Sequence, residues 1–185
     1  MKSFREFFSD ELITESPRID SNLTKSNIRA SSKFLKQVIK DNHNNSTKIG
    51  DDTYYQKSPT HHLYYRYKNG RVKECSAIDN KNTHVFSDKG SKGSSEHIKR
   101  FVEHHARNHG FVGSDKINTK GSENFWKSFS ENIPDGMTLY HVHNNQGNIE
   151  SNTSTPEYMR ANRDKIWGED SKYENHRIIL HKNEK

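Results

Sequence analysis

Apolar residues recur along this chain at two different spacings. Phe4, Phe7, Phe8 and Leu12 fall on one face of a helix over residues 3–13. Ser16-Pro17 ends it, because the residue before a proline is pushed out of the helical region. Leu23, Ile28, Leu35, Val38 and Ile39 predict a second helix over residues 23–40. The following Asp41-Asn42-His43-Asn44-Asn45-Ser46 reads as a flexible linker. The core is then expected to begin near Tyr54, with most of the first fifty-odd residues outside it.

From there the pattern changes. Two β-rich runs, His62 to Tyr67 and Arg71 to Ile78, flank Asn69-Gly70, a hairpin signal because both turn positions need positive φ. Residues 87–95 read as a Gly/Ser/Lys loop, and Ser94 or Ser95 caps a helix carrying Ile98, Phe101, Val102 and His105 on one face. Gly110 closes it. A short helix through Phe125, Trp126 and Phe129 ends before Pro134, and Met137 to His143 is the next strand, turning at Asn144-Asn145-Gln146-Gly147. Thr155-Pro156-Glu157 opens a helix with a capping hydroxyl, a first-turn proline and an acid, running to about Trp167. Arg177 to His181 is a final strand. The class is α+β: a small mixed or antiparallel sheet with several short helices, preceded by a helical N-terminal extension. The expected divisions are a helix at 1–15, a helical extension and linker at 16–53, and an α+β domain at 54–185.

Composition limits how much core this pattern can build. Leu, Ile, Val and Phe number 34 of 185 residues, and eight Tyr and two Trp add burial beyond them. Cys75 is the single cysteine, which excludes an internal disulfide, and as a strand residue it reads as a small buried hydrophobe. No run approaches the ~20 apolar residues of a membrane span, so no membrane partner is expected. The formal charge is +6. Residues 1–15 hold Lys2 and Arg5 against Glu6, Asp10, Glu11 and Glu15, a net of −2 that leaves +8 on the remainder. A basic body is compatible with nucleic-acid contact or with a merely soluble surface. Lys89 and Lys92 in the Gly/Ser loop, with Lys99 and Arg100 on the next helix, are the candidate nucleic-acid contacts.

Candidate chemistry centres on histidine. His141-Val142-His143 puts two imidazoles on one strand face, and such pairs ligate zinc. Glu157, His176 or His181 would supply a third ligand, which makes His141, His143 and Glu157 the candidate catalytic groups and zinc the candidate cofactor. His-x-His followed by Ser154-x-x-Glu157 resembles zinc isopeptidases of the JAMM type, with Asn144 where those carry proline. His105 and His109 are four apart on a helix, and their reading is a core edge with a polar face. Arg66 on a strand, Thr153-Ser154-Thr155, and Glu169-Asp170 in place of a Glu-x-Glu resemble arginine-specific ADP-ribosyltransferases. No phosphate-binding glycine loop or nucleophile elbow occurs.

The opening segment carries a more specific likeness. Met1-Lys2-Ser3-Phe4-Arg5-Glu6-Phe7 followed by Ile13-Thr14-Glu15 resembles the leader of internal head proteins of T-even-like tailed phages. Those leaders direct their proteins into the procapsid scaffold, and the prohead protease cuts after a glutamate in a Leu/Ile-x-Glu tripeptide. The resemblance covers about residues 1–16, places the cut between Glu15 and Ser16, and is silent on the fold of the body. It implies a protein of the phage head interior, in contact with prohead scaffold, prohead protease and packaged DNA, then ejected into the host cytoplasm. There the body would inhibit a host defence protein or nucleic-acid enzyme, act as a metal-dependent hydrolase or ADP-ribosyltransferase, or simply bind DNA.

Overall fold

The computed structural model describes residues 25–90, 95–115, 120–145, 148–167 and 175–184. The proposed leader helix at 1–15 and its cleavage residues Ile13, Glu15 and Ser16 lie outside them, as do Lys92 and Glu169-Asp170. The class is α+β, and the chain packs as two units. Within the described residues one unit comprises 25–80 and 84–102, and the other comprises 81–83 and 103–184.

The first unit holds helix α1 (Lys25–Asp41) and strands β1 (Thr47–Lys48), β2 (Thr53–Lys57), β3 (His61–Lys68), β4 (Arg71–Asp79) and most of β5 (Thr83–Asp88). Each strand pairs antiparallel with the next in chain order. Asn69 and Gly70 turn the β3–β4 hairpin at φ of 53° and 69°, the left-handed conformation that Asn-Gly supplies most cheaply. One sheet face gathers Leu63, Tyr65, Cys75 and Ala77 beneath α1, whose Ile39 is fully buried and whose Leu35 packs beside it. The expectation of a core starting at Tyr54 is therefore corrected. The apolar stripe of α1 leaves water against this sheet face, which itself needs a cover.

The expected linker after α1 is ordered for a similar reason. Residues His43–Asn45 form a short 3-10 turn. His43 stacks on Tyr67 with centroids 3.8 Å apart and bonds the Tyr65 hydroxyl at 2.9 Å. Aromatic contacts thus fix a segment whose composition alone reads as loop.

The second unit carries strands in the order β6 (Phe111–Ser114), β9 (His176–Lys182), β7 (Met137–Asn145) and β8 (Asn148–Thr153). Their pairings are antiparallel. Helix α2 (Ser95–His109) supplies residues 95–102 to the first unit and 103–109 to the second. Helices α3 (Lys120–Glu131), α4 (Pro156–Ala161) and α5 (Arg163–Ile166) complete the second unit. Thr155 caps α4 by accepting the Tyr158 N–H at 3.2 Å, as its sequence predicts. The strand face bearing Val142 and Ile179 packs with Phe111, Tyr140 and Ile149. His141 and His143 project from the opposite face. No helix among the described residues is long and apolar enough to cross a membrane.

Candidate functional site

Strand register assembles the histidines. On β7, His143 faces Glu150 of β8 on one side and His176 of β9 on the other. One pleat further along, His141 lies between Asn152 and Ile178. His143 and His176 rings stack with centroids 4.1 Å apart and planes within 3°. His141 and His176 are different: their planes also differ by only 6°, but centroids are 5.1 Å apart and His141 Nε2 lies 2.9 Å from His176 Nδ1. That is an end-to-end hydrogen bond between imidazoles. On its other side, His141 Nδ1 lies 2.8 Å from the hydroxyl of Tyr158, brought over this face by α4.

The chain Tyr158–His141–His176 has a definite chemical capacity. A neutral imidazole has one N–H and one lone pair, so the bonds must run in one direction at a time. Either Tyr158 donates to His141 while His141 donates to His176, or the order runs the other way. Passing from the first to the second with all groups neutral requires one proton taken up at the Tyr158 oxygen and one released from the far nitrogen of His176. Burial, then the neighbouring His176 and His143, pushes His141 down to about 4. Burial, then His143 and Arg177, pushes His176 down to about 4 as well. Burial raises the Tyr158 phenol, with Asn152 opposing that shift and Glu150 adding to it. The relay is thus neutral at ordinary pH. Ser154 is buried near the end of β8, its Oγ without a hydrogen-bond partner among the described residues.

The sequence-selected residues divide clearly. His141 and His143 come together, and His176 joins them, whereas His181 turns to Tyr140. Glu157 does not converge: its exposed carboxylate takes Arg160 at 3.0 Å. Its own backbone N–H, together with Thr155 and Arg160, holds it below the usual carboxylate range. Both nitrogens of His141 are engaged inside the protein, so no lone pair is left on that ring for zinc in this arrangement. Arg66 is held by buried Glu74, with both carboxylate oxygens 3.2 Å from Nη1, while Thr155 is spent on its cap. Cys75 is buried, and burial pushes its thiol up to about 12.

A second feature lies in the first unit. Between α1 and the β4–β5 strands runs a groove of about 680 Å³. Its helical wall presents Lys33, Lys36 and Lys40, and its sheet wall presents Arg71 and Lys89 around Val72 and Phe86. Asp88 is the acid in the lining; it binds Lys36 at 2.7 Å, Ser32, and the Gly90 N–H at 2.6 Å. Burial opposes its ionisation, yet those hydrogen bonds prevail and hold the carboxyl below its ordinary range. Among the described residues, Lys33, Lys40, Arg71 and Lys89 stand in no ion pair.

Of the expected nucleic-acid contacts, Lys89 lines this groove. Lys99 and Arg100 lie on α2 instead, where Arg100 approaches Glu96 at 3.9 Å. The lysines of α1 are not among the expected contacts, although spacing at i, i+3 and i+7 places Lys33, Lys36 and Lys40 on one helix face.

No protein-family profile, curated protein or solved structure matches this chain.

Proposed function

We propose that this chain is an internal head protein of a tailed phage whose body binds nucleic acid. Residues 1–15 direct it into the prohead and are removed after Glu15 by the prohead protease. The +8 remainder is packaged beside DNA and ejected with it into the host cytoplasm. The observation that carries the binding assignment is the groove of the first unit, where five cations face one acid. Four of those cations have no internal partner among the described residues, so their charge is available to phosphates, with release of condensed counterions on binding. A mobility-shift titration tests this. The chain retards short DNA at low salt, and a Lys33→Glu/Lys40→Glu variant, altered at the helical wall, does not. Absence of retardation by the unaltered chain contradicts the assignment.

One observation favours a second reading. Phe34, on the same helix, leaves 72% of its surface exposed, and an exposed aromatic is a common anchor in protein interfaces. In this reading the ejected body inhibits a host defence protein. The expected result is that Phe34→Ala relieves inhibition of a host restriction nuclease in coexpression while DNA retardation is unchanged. Inhibition that never occurs, or that survives Phe34→Ala, removes this reading.

A further inference from the structure

We infer that the groove takes single-stranded nucleic acid in preference to duplex, a refinement that rests on the nucleic-acid reading of the same site. The first reason is the direction of the cationic face. Lys33, Lys36 and Lys40 line the groove, while Leu35 and Ile39 of the same helix pin it to the sheet. A helix that reads duplex must protrude into a major groove about 12 Å wide. Here the basic face looks across a cleft at the β4–β5 strands, so it cannot be inserted.

The second reason is size and floor. A concavity of about 680 Å³ falls within the range of ligand clefts, roughly 300–1,000 Å³, and admits a few unpaired bases. Val72 and Phe86 provide apolar surface between the two cationic walls. In a duplex the base faces are hidden by their neighbours, and only phosphates would reach the rims. A single strand instead places bases against an aromatic ring while its backbone follows the cations. Asp88, already bonded to Lys36, Ser32 and Gly90, makes the floor beside Phe86 unfavourable for phosphate. The backbone is then directed to Lys33 and Lys40 on one wall and to Arg71 and Lys89 on the other.

The test is fluorescence anisotropy of the full chain with a labelled oligothymidylate and with a duplex of equal length, at one ionic strength. The single strand binds at least about tenfold more tightly, the scale of one base stacked on one aromatic ring. Phe86→Leu, which keeps the apolar volume and loses the ring, abolishes most of that preference, whereas Arg71→Ala weakens both ligands. Because Phe86 also touches the core, photocrosslinking of a bromodeoxyuridine strand to the unaltered chain provides an independent measurement, with the adduct mapped to the β5 peptide. Equal or tighter duplex binding, or adducts only outside the groove, overturns the inference and leaves the nucleic-acid reading standing. Failure to bind either ligand overturns both.

Discussion

His143 and His176 sit opposite one another on neighbouring antiparallel strands, with rings parallel to within 3° and centroids 4.1 Å apart. Two protonated imidazoles cannot share that geometry without strong repulsion. The face as a whole, with His141, His176 and Tyr158 hydrogen-bonded in series and Arg177 nearby, is built for neutral rings. Its cost appears in acid.

Stability is expected to fall as pH drops from about 6.5 toward 4. His141, His176 and the half-buried His84 of the first unit are each lowered to about 4, against about 6.5 unfolded. The unfolded chain therefore binds more protons throughout that window, and stability there rises with pH. Above about pH 7 these groups contribute no slope. Each contributes up to roughly 3 kcal/mol of destabilisation once pH lies below 4. Urea midpoints measured across this range check the sign; a midpoint that is flat between pH 7 and pH 4 contradicts it. His141→Gln, which removes one of the three titrating rings, reduces the slope.

Ile39 belongs to the core although it lies upstream of the first long strand. It is 0% exposed and packs on Leu63, Tyr65, Cys75 and Ala77. Ile39→Ala is expected to cost about 3 kcal/mol, through lost transfer energy and the cavity left behind. Chemical denaturation measures it, and a change under about 1 kcal/mol would show that α1 is not part of that core.

Gly70 and Gly90 share a φ of +69° but differ in surroundings. A Cβ at Gly70 meets open space, so Gly70→Ala costs about 1 kcal/mol, from backbone conformation alone. At Gly90 the same atom comes 2.8 Å from the backbone oxygen of Lys73, and Gly90→Ala costs more than about 2 kcal/mol by combining strain with a clash. It also displaces Lys89 at the groove. Equal losses in the two variants would contradict the close approach seen at Gly90.

Cys75 is expected to be inert. It is fully buried and its thiol is raised to about 12, so almost no thiolate exists at neutral pH. Labelling with a maleimide should proceed only after denaturant is added. Rapid labelling of the native chain would contradict the burial.

Legibility in the sequence followed the range of each interaction. Asn69-Gly70, the Thr155 cap and the His141–His143 pair are set by neighbours a few residues apart, and all three stand where their local chemistry places them. His176 joins the pair from 35 positions away through strand register, which no local period encodes. The short strands β5 and β6 are not among the expected elements: β5 ends inside the stretch that reads as a Gly/Ser/Lys loop, and β6 follows directly on Gly110. Their burial patterns carry no clean alternation. The groove was the hardest feature to read. Three of its five cations are lysines on one helical face, but its other wall exists only because Leu35 and Ile39 bring that helix onto the sheet.

The salt dependence of single-strand binding tests the central claim most directly. A plot of log association constant against log salt has a negative slope set by the number of phosphates neutralised. Lys33→Ala and Lys40→Ala are each expected to make that slope shallower by about 0.7, and by about 1.4 together. Affinity independent of salt, or a slope that the double variant leaves unchanged, would place any binding outside the groove and contradict the account.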